Sequence, residues 1–186
     1  KLIVTSEAYQ RSSRVTPQLF ERDPENRLLA RGARFRMPSW MIRGQALAVS
    51  GLLVAKIGGA PVNGYQPAGV WEETTFGKKK YKQDSGEKLH RRSLYTFWRR
   101  TSPPPAMTMF DAPAREVCRV DRPATTPPLQ ALVLWNDPQF VEVSLALARG
   151  ALEVSGLPST ETTAASLDGQ RVDFMVRSLA SRPPTA

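Results

Sequence analysis

TPPLQALVLWNDPQFVEVSLALARGALEVSG, residues 126–156, decides the class of this fold. Pro127 and Pro128 suit a helix start, because proline presets φ and the first turn needs no amide donor there. LQALVLWN continues that helix, with Thr125 or Thr126 as the expected cap. Asp137-Pro138 repeats the start signal and opens a second, longer helix. Val141, Leu145, Ala148 and Leu152 recur at helical spacing and read as its inner face. Gly156 and Pro158 end it. Gln130 and Asn136 are expected to bond nearby backbone. The segment is a helix-turn-helix packing corner. It lacks the exposed basic face that reading a major groove requires, so specific nucleic-acid binding is not expected.

Working outward, MPSWMIRGQALAVSGLL predicts another helix, with Ser39 as cap and an inner stripe of Ile42, Ala46, Val49 and Leu53. DPENRLLARG predicts a short helix, capped by Asp23, ended by Gly32 and pinned to the core by Leu28 and Leu29. KLIVTSEAYQ reads as the end of a helix begun upstream. RVDFMVRSLASR reads as a last amphipathic helix, reached through a flexible threonine-rich link over 155–168. Sixteen prolines, clustered near 103–105 and 123–128, argue for long irregular but ordered segments. The fold class expected is therefore mainly α: an irregular helical domain with a small β element and long proline-rich loops.

The β element is expected in HRRSLYTFWRR, residues 90–100. Leu94, Tyr95, Phe97 and Trp98 favour a short strand, stopped by Thr101-Ser102-Pro103. Its partner is expected near 68–75 or 116–120. On a strand, Arg91 and Arg99 face one way and Arg92 and Arg100 the other. Guanidinium forks suit carboxylate, sulfate or phosphate, and the aromatic residues between them suit core packing or stacking on a ligand. Framework is the leading reading, with a polyanion or sugar groove second.

The chemistry-bearing residues are few. His90 is the single histidine, and no metal-ligand spacing surrounds it. Cys118 is the single cysteine, which rules out an internal disulfide. A buried structural thiol is expected, although Arg115 and Arg119 could activate it if they are near. Asp111, Glu116, Asp121 and Asp137 are expected to form internal ion pairs with neighbouring arginines, and Asp111 with Glu116 is a weaker acid–base alternative. KIGGAPVNG lacks the lysine and hydroxyl of a phosphate loop, and FGKKKYKQDSGEK reads as a solvated loop. A formal charge of +9 favours polyanions in general or simple solubility. No stretch is apolar enough to span a membrane.

ENRLLARG, IRGQALAVSGLL, RRSLYTFWRRTSPPPAMTMFDAPAREVC and TPPLQALVLWNDPQFVE together resemble the DUF1553 family, also called the planctomycete PSD1 domain. The resemblance covers about residues 1–154, and RVDFMVRSLASRPPT is similar to the family's later helical segment. Arg91, Arg92, Tyr95, Arg99, Pro104, Phe110, Asp111, Pro113, Thr126, Pro128, Gln130, Ala131, Leu132, Asn136 and Phe140 match its recurring pattern. MPSWMIR departs from it in lacking an acidic residue before the Ile-Arg pair, and ATTPPLQAL in having proline where relatives often have asparagine or threonine then proline. The resemblance implies an unassigned function and no catalytic set. It also implies export, to the periplasm or beyond the cell, within a longer bacterial protein. Companions implied are an upstream DUF1549-like domain and, in many relatives, a cytochrome-c-like domain. Any haem belongs to that companion, so no cofactor or metal is expected in this segment.

Residues 1–186 are thus expected to form one PSD1-like domain of a larger multidomain protein. The expected role is accessory or scaffolding, with Arg91, Arg92, Arg99, Arg100, Tyr95, His90 and Asp111 presenting a basic surface to anionic polysaccharide. The alternative is a share in a polysaccharide-processing or haem-linked redox site. A pocket joining His90 to Asp111 and the arginines favours the alternative. Dispersed arginines favour the scaffold.

Overall fold

Short hydroxyl side chains start the first helices. Ser6 Oγ accepts the Tyr9 amide at the head of α1, Glu7–Gln10. Thr16 Oγ1 does the same for Leu19 at α2, Pro17–Arg22, where Pro17 takes the first position. α1 is therefore capped locally at Ser6 and begins at Glu7. The computed structural model describes residues 1–118, 120, 123–155 and 164–184. Its contacts divide the chain into two units, Lys1–Met37 and Pro38–Ala186.

In the first unit the helix expected over DPENRLLARG is absent. Asp23 ends α2, and its carboxylate accepts the amides of Arg27 at 2.9 Å and Leu28 at 2.8 Å. Those bonds draw the backbone into a turn, with Asn26 and Leu29 at positive φ. Leu28 and Leu29 consequently point into solvent. The interior of this unit is polar. Arg31 is buried and donates to Asp23 O at 2.8 Å and Pro24 O at 2.7 Å. Gly32 passes so close to Arg11 that a β-carbon there would lie 2.6 Å from the Arg11 carbonyl oxygen.

The second unit is mainly helical. It contains α3 (Ser39–Val49), α4 (Val70–Thr74), α5 (Pro105–Met109), α6 (Pro128–Asn136), α7 (Pro138–Ser155) and α8 (Ala164–Ala180). α7 packs against α3, α6 and α8. Phe110 meets Phe140 edge-on with ring centres 6.1 Å apart. Leu47, Met107, Val143, Ala151 and Leu167 complete the buried centre. The two helices expected over 126–156 form as read, and Gln130 bonds Met109 O at 2.8 Å across the corner. Pro127, not a threonine, occupies the cap position of α6. α7 reaches Ser155 and α8 starts at Ala164, both inside the expected 155–168 link, while residues 156–163, with the expected helix end at Gly156 and Pro158, lie outside the described residues.

Two faces differ from the periodicity reading. The buried line of α3 is Ser39, Arg43 and Leu47, one register away from the expected Ile42 stripe. On α7 the buried apolar residues are Phe140, Val143 and Ala151, while Leu145 and Leu152 are 56% and 52% exposed.

The expected strand is also replaced. Residues 86–95 form two 3₁₀ turns, Gly86–His90 and Ser93–Tyr95. Among the described residues its strand-type pairing is limited to isolated bridges: Val54 with Arg91, Val62 with Thr96, and Arg99 with Ser102. The partners are thus the loop after α3, not 68–75 or 116–120. Among the described residues, no helix is long and apolar enough to cross a membrane.

Candidate functional site

The stretch 86–100 is held from below by Arg43 of α3. Its guanidinium donates to Leu89 O at 2.7 Å, Arg91 O at 2.6 Å and Gln139 Oε1 at 2.7 Å. Three acceptors at separate nitrogens explain why a buried cation replaces an apolar residue on that helix face. A 3₁₀ stretch leaves its carbonyls without ladder partners, and a planar fork supplies the missing donors. Burial lowers the Arg43 pKa to about 10, so the group stays protonated at neutral pH.

Arg91 closes the other side. It is 7% exposed and donates from Nη2 to Gly58 O at 2.6 Å and Lys56 O at 3.1 Å. Its guanidinium lies 4.1 Å from the Tyr95 ring centre, and the Tyr95 hydroxyl accepts the Gly58 amide at 2.7 Å. Arg99 covers Trp71 at 5.0 Å, and Arg115 covers Trp98 at 4.3 Å. Arg92 and Arg100 are exposed. The alternation read from the sequence therefore survives without a strand: Arg91 and Arg99 turn inward, Arg92 and Arg100 outward. The structure does not bring the four into one outward cluster, and it makes Arg91 and Tyr95 framework.

His90 meets residues that the sequence reading did not single out for it. Its Nε2 lies 3.2 Å from Glu142 Oε1, and the Tyr65 hydroxyl donates to Glu142 Oε2 at 2.7 Å. Burial, then the Glu142 hydrogen bond, then the charges of Glu142 and Asp137 push the Tyr65 phenol up to about 12. Tyr65 is therefore a donor throughout the physiological range. Asp137 also titrates above the ordinary aspartate value, because burial outweighs the Gln139 and Phe140 amides it faces. The trio links the 60s loop, the 3₁₀ turn and α7 through one carboxylate. Its members are remote in sequence, and no short motif could have announced them. Chemically it offers a carboxylate with both oxygens engaged, and no nucleophile. Among the described residues, no group of histidine, cysteine and carboxylate side chains could hold a metal ion.

Asp111 lies elsewhere. It sits at positive φ, and its carboxylate accepts the Thr125 amide and hydroxyl, each at 2.8 Å. With Arg115, Glu116 and Val117 it lines a shallow concavity of about 250 Å³ in which His90 takes no part. Asp111 and Glu116 do share this surface, but Asp111 is tied to Thr125 and holds the proline-rich segment in place. Cys118 is exposed, correcting the buried thiol expected, because the segment carrying it runs over the surface. Arg119 and Asp121, expected beside the thiol and in an ion pair respectively, lie outside the described residues.

No curated protein and no solved structure matches the chain. A protein family described as "PSD1: Protein of unknown function (DUF1553)" matches residues 1–186. The chain belongs to that family.

Proposed function

We propose that this chain is an accessory, scaffolding domain of a larger exported bacterial protein, and that α7 supplies its docking face. The observation that carries this reading is the exposure of Val141, Leu145 and Leu152, which recur on one side of α7 like a core stripe. A helix facing only water has no use for such a line. α6 supports the reading with Leu129, Leu132 and the 82% exposed Trp135 at helical spacing. The polar chemistry points the same way. Arg43, Arg91 and Asp111 hold the chain's own backbone, and His90 and Asp111 do not converge on one pocket.

The occupant proposed is the upstream DUF1549-like domain that the family resemblance implies. Co-expression of that domain with this chain, followed by size exclusion, tests the reading. A stoichiometric complex is expected, and Leu145→Glu with Leu152→Glu dissolves it while helical circular dichroism stays unchanged. A complex indifferent to both substitutions overturns the assignment of α7.

A second reading rests on Arg92 and Arg100, whose guanidinium groups reach water. They are the pair left to present to an anionic polysaccharide. Dextran sulfate binding that falls with Arg92→Gln and Arg100→Gln supports it, and equal loss at every surface lysine reduces it to net charge.

A further inference from the structure

The segment TTFGKKKYK, residues 74–82, overlaps the solvated loop expected over FGKKKYKQDSGEK, but its geometry is specific. Phe76 and Gly77 carry φ values of 52° and 75°, and the Lys78 amide donates to Thr75 O at 3.1 Å. Two successive positive φ values closed by this bond describe a type I′ turn. Asparagine or glycine takes its first central position cheaply, whereas a bulky side chain like Phe76 is strained there. The turn is nevertheless well anchored. Thr75 is buried, with Oγ1 donating to Trp71 O at 2.6 Å and accepting the Lys79 amide at 3.1 Å. Below it, Trp71 packs on Tyr81 at 5.1 Å and Phe97 at 5.8 Å between ring centres. A fixed base thus holds a strained tip whose phenylalanine is 94% exposed.

The charge around this tip is one-sided. Lys78, Lys79, Lys80 and Lys82 are all exposed, and none forms an ion pair among the described residues. Glu72 and Glu73 precede the turn, and one Glu72 carboxylate oxygen is buried. Lys82 feels the Asp84 carboxylate, so Lys78, Lys79 and Lys80 are the lysines left to the tip, beside Glu72 and the exposed Glu73.

We propose that this turn is a peripheral contact for an anionic lipid bilayer, with Phe76 entering the headgroup boundary and the lysines resting on lipid phosphates. The pairing of a lone apolar tip with surrounding ammonium groups fits an interface that is apolar below and negative above. A sulfated sugar is better matched by planar forks and a facing platform, and the tip has lysines, which are point charges. The contact is independent of α7 and of the partner proposed for it.

The test is co-sedimentation of the chain with phosphatidylcholine vesicles, with and without phosphatidylglycerol, over a salt series. Binding to the anionic vesicles is expected, and binding to the neutral ones is not. K78Q/K79Q/K80Q weakens partitioning about a hundredfold, from roughly a fivefold contribution per lysine. Phe76→Gly weakens it about tenfold or more. Because glycine relaxes the backbone, that variant keeps or raises its thermal midpoint, which separates lost contact from lost fold. Phe76→Trp restores binding. Equal binding to neutral vesicles overturns the proposal, as does indifference to Phe76→Gly. Lysine-dependent binding to dextran sulfate without vesicle binding also overturns it and makes the turn a polysaccharide contact.

Discussion

Arg43 occupies the line of α3 where periodicity places an aliphatic side chain, and it serves two loop carbonyls and Gln139 there. Arg43→Met keeps the volume but strands those acceptors. We expect a loss of about 3 kcal/mol or more, measured by urea unfolding, because buried polar groups left unpaired bear their full desolvation cost. Arg43→Lys recovers part of it, since one ammonium cannot span all three acceptors. Tyr65 gives a prediction with a sign. Its folded pKa, about 12, exceeds the ordinary phenol value of 10.0, so the protonated form is favoured by folding. That contribution is complete below pH 10 and disappears as pH rises toward 12. Tyrosinate absorbance should show Tyr65 and Tyr81 titrating late, since burial and the charge of Asp84 also push Tyr81 up to about 12. Tyr65→Phe should remove one late phenolate and flatten the alkaline loss of stability. A late-phenolate count unchanged by Tyr65→Phe, with an ordinary phenolate lost in its place, contradicts the Glu142 contact.

α7 shows that a stripe can be read correctly and assigned to the wrong side. Helical spacing identifies faces but not which face meets α3, α6 and α8. Phe140, Val143 and Ala151 won the interior, with Phe110 and Leu167 supplying other parts of that core. Phe140→Ala is expected to cost about 3–5 kcal/mol, whereas Leu145→Gln should change stability by less than about 0.5 kcal/mol. Equal destabilisation by both would show Leu145 to be core after all. The 90–100 stretch carries a related lesson. Its aromatics suggested a strand, yet no neighbour offers a long edge, and the carbonyls of Leu89 and Arg91 go to Arg43. Strand propensity records a fit to a half-buried surface, and arginine-covered rings satisfy that fit without a ladder.

The two units of the molecule differ in how they are held. Lys1–Met37 is organised by Asp23, Asn26 and Arg31, while Leu2, Ile3, Phe20, Leu28 and Phe35 are exposed. Pro38–Ala186 has an apolar centre. Hydrogen exchange should therefore be fast through 1–37 and slow in α3 and α7, because protection follows buried contact. Residues 38–186 expressed alone should keep their helical circular dichroism and cooperative unfolding. A non-cooperative transition in that fragment would show that the first unit is part of its core. Gly32→Ala, which brings a β-carbon against Arg11 O, should loosen only the first unit.

Motif resemblance pointed to the family. Composition and punctuation by themselves determined the helical class, the α6–α7 corner and the in–out alternation of the arginines. Each follows from local rules: proline starts, helical spacing, and the reach of neighbouring side chains along one chain. Tertiary structure alone decided which stripe of α7 was buried, that Arg43 would be the clamp, and that His90 would meet Glu142 and Tyr65. Those outcomes depend on which loop carbonyls lack donors once the chain has collapsed. A residue's own neighbours in sequence carry no record of that need.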